Sequence, residues 1–392
     1  MQSIQKPIVI VGAGFAGISV ALNLKSLNPS LPILIVDSET NFVFKPLMYE
    51  LLSKEINMWE AAPKFANIFS DAGTTFLKNT LTKIQFKENI LEFQDGLKLN
   101  YQYLVICTGS IPNSFSIKGI EENCYFFNDL NDLKKLKSFL KVSQKNYIKK
   151  LFIVGGGPSG VEIGCKINDL FLNEFEIFIV EKSNEILSRN KIFNREEAEK
   201  ALENRKIKIL LNSTVTEVSE TKISISNEDG ITCFEKDIVI WPAGVKANLP
   251  YLDYDLSQKN GRILVNDKFQ IENYTNCFAV GDIAIIKGKE DLPVTAQVAI
   301  QEGKHLATNL DLLIQEKDLL PFKFQDNGEM ISLGIGHASI SALGLTLSGK
   351  FAFELRRLIY ASKLPDIRKT LKAFTSWLFQ QKSIVNQFLK NR

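Results

Sequence analysis

A glycine-rich turn occurs twice in this chain in the same setting, and that repetition restricts the fold more than any other feature. The first copy begins with Ile8-Val9-Ile10-Val11, a continuous apolar run of the kind found in a strand buried on both faces. It leads into Gly12-Ala13-Gly14-Phe15-Ala16-Gly17 and a helical segment that carries Ile18, Ala21, Leu22 and Leu24 and stops at Asn28-Pro29. A second apolar run, Ile33-Leu34-Ile35-Val36, ends in Asp37, 20 residues after Gly17. In such a unit Gly12 makes the tight turn, Gly14 lets a pyrophosphate approach the backbone, and Gly17 lets helix and strand pack closely. The free N–H groups at the helix start hold phosphate charge, and Asp37 is placed to accept from a ribose hydroxyl.

The second copy runs from Leu151-Phe152-Ile153-Val154 into Gly155-Gly156-Gly157-Pro158-Ser159-Gly160, with Glu181 as its acid 21 residues after Gly160. Each copy is followed by a buried strand that ends in glycine. These are Tyr103 to Ile106, then Cys107-Thr108-Gly109, and Asp237 to Ile240, then Trp241-Pro242-Ala243-Gly244. The spacing from the first loop glycine to that terminal glycine is 97 residues in one copy and 89 in the other. The expected fold class is α/β, with two Rossmann-like dinucleotide-binding domains followed by a C-terminal amphipathic helical region that anchors to a membrane. The boundaries read as 1–112 for the first part of an FAD-binding domain, 113–258 for an NAD(P)H-binding domain, 259–330 for the second FAD part, and 331–392 for the membrane-association region. Two dinucleotide sites in one chain suit a resident flavin and a diffusible nicotinamide whose reactive rings meet between domains.

Where the chain returns to the first domain, Asn276 to Val280 is another strand, running into Gly281-Asp282, and a carboxylate beside glycine suits a flavin ribityl hydroxyl. Next, Pro293-Val294-Thr295-Ala296 opens a helix through about Leu313. On it Gln297 and Gln301 lie four apart on one face. Two neutral amides there can line a pocket for a carbonyl substrate, or simply cap the core. The stretch Phe42 to Leu52 contains Lys45-Pro46, a pattern for the first turn of a short helix.

The five cysteines are odd in number and contain no C-x-x-C, which signals neither a disulfide framework nor a redox pair; they read as reduced thiols. With two histidines, a His-rich metal site is not expected. The N-terminus reaches the first strand too soon for a signal peptide, and no apolar run approaches the roughly 20 residues that span a bilayer. The net charge of +3 conceals an asymmetry. Residues 350–392 hold ten of the 47 Lys/Arg but two of the 44 Asp/Glu, so this segment is +8 and the remainder −5. Within it Ile367, Leu371, Phe374 and Leu378 form one helical stripe among Arg368, Lys369, Lys372, Lys382 and Lys390. A basic amphipathic helix with Trp377 and Phe379 suits the lipid interface. The other reading is a helix docked on its own core or on a second subunit. Its aromatic, amphipathic character argues against nucleic acid.

These residues together resemble the type II NAD(P)H:quinone oxidoreductases, a branch of the two-dinucleotide flavoprotein reductases, over nearly the whole chain. The most specific match is Ala296-Gln297-Val298-Ala299-Ile300-Gln301-Glu302-Gly303, similar to that family's A-Q-x-A-x-Q-x-G quinone motif. Phe42 to Leu52 and Leu355 to Pro365 look most like the cyanobacterial and plastid branch associated with demethylphylloquinone reduction. The resemblance implies an FAD enzyme that passes two electrons from NAD(P)H to a membrane quinone without pumping protons. It also implies a homodimer, held peripherally on the cytoplasmic face of a plasma or thylakoid membrane. Its catalytic candidates are Glu162, Gln297 and Gln301. The cofactor-binding candidates are Gly12, Gly14, Phe15, Ala16, Gly17, Asp37, Lys45, Thr108, Gly109, Gly155, Gly157, Pro158, Ser159, Gly160, Glu181, Ala243, Gly244, Gly281, Asp282, Ala296 and Gln297, and no metal is expected. Glu181 favours NADH by repelling a 2′-phosphate, while Lys182 and Arg189 pull toward NADPH. Two rivals remain at this point: a sulfide:quinone oxidoreductase using Cys124 and Cys277, and a non-catalytic NAD(P)H-responsive binding protein.

Overall fold

The computed structural model describes residues 6–142, 148–172, 174–252 and 256–364. They form two compact units. The first takes the chain through Phe42, then Ala62–Ile111 and Val245–Gln325; the second takes Val43–Ala61, Pro112–Gly244 and the chain from Asp326. Residues 43–61 therefore leave the first unit for the second.

The first unit is built on a five-stranded sheet in the order Cys277–Ala279, Tyr103–Ile106, Ile8–Val11, Ile33–Asp37, Thr75–Lys78, with every pair parallel. The central strands are buried along their length, which is why they read as unbroken apolar runs. The loop helix Phe15–Leu27 packs against the helix Ala296–Ile314. Gly303 allows this, because a Cβ there would lie 2.5 Å from the Ala16 carbonyl oxygen. Ser19 then donates its hydroxyl to the Ile300 carbonyl at 2.8 Å. Residues 81–100 form an antiparallel meander, Leu81–Gln85, Ile90–Phe93 and Lys98–Asn100.

The second unit repeats the plan with a four-stranded parallel sheet, Lys208–Leu210, Phe175–Val180, Lys149–Val154, Ile238–Ile240. An antiparallel sheet, Thr214–Val218, Lys222–Asn227 and Gly230–Glu235, closes its core around Phe152, Phe178 and Trp241. A third layer follows: strands Glu329–Ser332, Ala338–Ala342 and Leu345–Ser348, and the helix Gly349–Ala361, sharing a small core of Ala338, Ile340, Ala352 and Phe353.

Here the sequence expectation needs a correction. Residues 350–392 read as one basic, membrane-facing segment, yet Arg356 and Arg357 point inward and are buried. The stripe Ile367, Leu371, Phe374 and Leu378 lies outside the described residues. Among the described residues, no helix is long and apolar enough to cross a membrane.

Candidate functional site: two glycine cradles and a buried carboxylate network

In the first unit, Gly12 has φ +99°, and a Cβ there would lie 2.2 Å from the Cys107 carbonyl oxygen. A Cβ on Gly17 would lie 1.9 Å from the oxygen of Gly12, so loop and helix pack backbone to backbone. Gly14 differs: nothing lies within 4 Å of where its Cβ would be. Its missing side chain leaves a clear face over the helix start, whose N-cap position carries no side-chain hydrogen bond. Asp37 closes the cradle. Its Oδ2 accepts from the Ala13 N–H at 2.6 Å and its Oδ1 from the Glu39 N–H at 2.9 Å. Burial pushes this carboxyl above its usual range, against the pull of those amides.

The second unit reproduces that geometry. Gly155 has φ +112°, a Cβ on Gly160 would meet the Gly155 oxygen at 1.9 Å, and Gly157 is again open. Glu181 takes the place of Asp37, with Oε2 accepting from the Gly156 N–H at 2.6 Å and Oε1 from the Ser183 N–H at 2.8 Å. Pro158 supplies the first helical position, where it has no donor to lose. The terminal glycines also correspond, with φ +69° at Gly109 and +67° at Gly244. A Cβ on Gly155 would lie 3.3 Å from Ala243, so this approach too needs glycine.

FAD fits the first cradle. Beyond the open face at Gly14, Thr108 Oγ1 is buried and has no hydrogen-bond partner among the described residues, a hydroxyl left for a ligand. Phe15 stacks edge-on against Phe42 with centroids 5.1 Å apart. Ala16 sits close under Gly281, where a Cβ would come within 3.1 Å of its methyl. The adjoining Asp282 accepts from the Ser110 hydroxyl at 2.6 Å. The helix from Ala296 starts at Thr295, whose hydroxyl accepts from the Val298 N–H at 3.3 Å. Gln297 and Gln301 are half-buried on that helix. Gln301 already has work to do, because its amide donates to the Gln325 carbonyl at 2.8 Å and accepts from the Gln325 N–H at 3.0 Å.

Glu162, one turn into the second loop helix, is buried in a charged cluster of the second unit. Arg356 lies at 0% side-chain exposure, paired with Glu50 Oε1 and 3.3 Å from Glu162 Oε1. The same guanidinium donates to the Pro46 carbonyl at 2.9 Å and stacks 4.7 Å over Tyr360. Glu162 Oε1 also accepts from the Ser332 N–H at 2.8 Å. Burial raises the Glu162 carboxyl to about 7, opposed mainly by Arg356. For Glu50 the balance reverses: burial raises it, but Arg356 and then Lys166 hold it below its usual value. Lys166 itself is buried and paired with Glu55. Tyr49, from the same 43–61 segment, donates to the Ser159 hydroxyl at 2.9 Å. Lys45 belongs to this unit too, where its ammonium donates to Asn128 at 2.7 Å.

Residues 6–303 match the pyridine nucleotide-disulphide oxidoreductase family. A demethylphylloquinone reductase from Synechocystis is 32% identical over 406 residues, covering 100% of this chain and 99% of the relative. The chain belongs to that family, in its type II NAD(P)H:quinone oxidoreductase branch. An Arabidopsis thaliana relative described as an alternative NAD(P)H-ubiquinone oxidoreductase is 30% identical, across 94% of this chain and 80% of its own. The solved structure of NDH2 from Plasmodium falciparum shares the fold with a TM-score of 0.85 at 18% identity, over 96% of this chain and 98% of that one.

Within this family the sulfide-using reading finds no support in the thiols. Burial raises both Cys124 and Cys277 to about 12, so neither is a thiolate at neutral pH. Two buried charged features escaped the sequence reading. Glu302, inside the glutamine motif, accepts from the Gly281 N–H at 2.6 Å and is raised to about 7 by burial. Glu50 and Arg356 lie 306 residues apart, and no local pattern links them. The A-Q-x-A-x-Q-x-G motif itself, which includes Glu302, was the available signal for the first.

Proposed function

We propose that this chain is an FAD-dependent enzyme that moves two electrons from NAD(P)H to a quinone, with FAD in the first unit and NAD(P)H in the second. The observation that carries this is the pairing of two glycine cradles of one geometry, each with an acid locked onto the loop's second amide at 2.6 Å. When bound, FAD would supply the two-electron redox chemistry that links nicotinamide to quinone.

The protein's residues bind and orient. The open faces at Gly14 and Gly157 receive pyrophosphates, and Asp37 and Glu181 offer their remaining lone pairs to ribose hydroxyls. The Thr108 hydroxyl and Asp282 are the further groups for FAD. Glu181 supports a preference for NADH. Burial raises the Glu162 carboxyl to about 7, which suits it to a proton relay. Gln297 is the amide for the quinone carbonyl, with Gln301 holding the Gln325 segment beside it.

A naphthoquinone is the substrate class that the Synechocystis relative's name, demethylphylloquinone reductase, supports. The basic surplus of residues 365–392, six Lys/Arg against Asp366, supports peripheral attachment to a membrane; the cytoplasmic face and a homodimer rest on the family resemblance alone. The test is turnover by the purified protein with NADH or NADPH and a water-soluble naphthoquinone, with sulfide as a rival donor. The expected result is nicotinamide-driven quinone reduction, faster with NADH. Turnover with sulfide alone would overturn it.

A further inference from the structure

The two cradles share one backbone geometry but differ in one side chain. Where the first has Ala16, the second has Ser159, in the first turn of the helix Pro158–Leu170. The Ala16 methyl is taken up under Gly281. The Ser159 hydroxyl meets Tyr49 instead, whose phenol donates to it at 2.9 Å from a position 110 residues away in the chain. The ring that carries this phenol is fixed. It belongs to the short helix Met48–Leu52, is buried, and stacks on Phe127 at 5.4 Å with 25° between the planes. Burial first, and the Glu162 charge second, raise the Tyr49 hydroxyl well above its usual range, so it is a donor at every working pH.

The direction of that bond has a consequence for Ser159. A hydroxyl has one proton to give and two lone pairs to receive. The Ser159 oxygen accepts from Tyr49, and its own proton finds no acceptor among the described residues. Accepting one hydrogen bond polarises the O–H and strengthens the one it donates. This donor stands at the helix start beside the open face at Gly157, where a phosphate oxygen is the acceptor that the cradle is shaped to receive. The matching position of the first cradle, a methyl group, has no such donor.

We propose that Tyr49 is a positioning residue for NAD(P)H, whose phenol turns the Ser159 hydroxyl so that its one remaining proton faces the pyrophosphate of the nucleotide. This rests on the reading above that the second cradle holds NAD(P)H. It gives residues 43–61 a task in the second unit beyond packing.

The test titrates the full-length, FAD-loaded protein with NAD+, which binds without reacting, by isothermal calorimetry. The variants are Ser159→Ala, Tyr49→Phe and the two combined. Phenylalanine keeps the stack on Phe127, and Ser159 is half-buried, so Tyr49→Phe leaves no fully buried acceptor unpaired. Ser159→Ala is expected to weaken NAD+ binding about tenfold, and Tyr49→Phe about three- to tenfold. The combined variant should bind within about twofold of Ser159→Ala alone, because Tyr49 acts only through that hydroxyl. Flavin content matches the parent in all three. Tyr49→Phe binding like the parent, beside a weakened Ser159→Ala, overturns the role of Tyr49 and leaves the nicotinamide cradle standing. A Tyr49→Phe effect that persists in full on the Ser159→Ala background does the same, since the tyrosine then acts through packing. Unchanged binding in Ser159→Ala overturns the proposal even where Tyr49→Phe does not fold. A parent protein that binds no NAD+ overturns the reading of the second cradle with it.

Discussion

Arg356→Met removes a fully buried guanidinium that faces Glu50 and Glu162. Methionine replaces most of the lost volume, so packing changes little. What remains is a pair of buried carboxylates without their principal cation, and breaking a buried ion pair from one side costs about 3–5 kcal/mol. The loss depends on pH. In the parent, the lowered Glu50 value gives stability that is present above its unfolded value near 4.5 and lost as pH falls through the folded one. In the variant, burial dominates and both carboxyls rise. Stability is then retained below about 4.5 and lost as pH climbs through the raised values. A proton therefore replaces the guanidinium at pH 5 but not at pH 8. A rise of about two units in one carboxyl returns roughly 3 kcal/mol on acidification, much of the original loss. At about 2–4 °C per kcal/mol for a unit of this size, Tm falls roughly 10 °C at pH 8 and less than half of that at pH 5. Thermal melts followed by circular dichroism at the two pH values decide it. A Tm within about 2 °C of the parent at pH 8, or an equal fall at both pH values, would refute the reasoning.

Other substitutions probe the cradles. Gly157→Val fills a face with nothing within 4 Å, so it should leave folding and flavin content intact while raising KM for NADH at least about tenfold; lost flavin would place the defect elsewhere. Glu181→Ser removes a charged acceptor worth about 1.5–3 kcal/mol, so KM for NADH rises by roughly ten- to a hundredfold and the NADH-to-NADPH ratio of kcat/KM drops. For Glu302, burial raises the folded value to about 7, so its stability contribution is present below 4.5 and disappears as pH rises through 7. Glu302→Gln should therefore gain Tm relative to the parent between pH 5 and pH 8, by about 1–3 kcal/mol equivalent; a constant difference across that range counts against a buried, titrating carboxyl.

The parallel sheets and both loops were legible because backbone geometry leaves little choice there. Gly12, Gly17, Gly155 and Gly160 sit where a Cβ would meet backbone within 3.4 Å, and at Gly14 and Gly157 nothing lies within 4 Å of where a Cβ would be. Asp37 and Glu181 were recognised by spacing alone, and each accepts from its loop as that spacing requires. The tail was less legible. Arg356 looks like any other base in a basic stretch; only the folded chain shows it buried against Glu50, across 306 residues. Lys45 was grouped with the flavin half by its position in the chain. The excursion of residues 43–61 into the second unit follows from what packs there, Tyr49 against Phe127 and Phe44 against Tyr360, and no local periodicity encodes such a departure. Gln301 showed its type and spacing, but not that Gln325 would claim both ends of its amide.

The central claim is that electrons leave one cradle's nucleotide and reach a quinone by way of a flavin held in the other. The direct measurement is an anaerobic mixing experiment on the purified protein, with the flavin absorbance band followed throughout. One equivalent of NADH should bleach it, and a naphthoquinone added afterwards should restore it in full. A protein that carries no flavin, or whose band neither fades with NADH nor returns with quinone, contradicts the account.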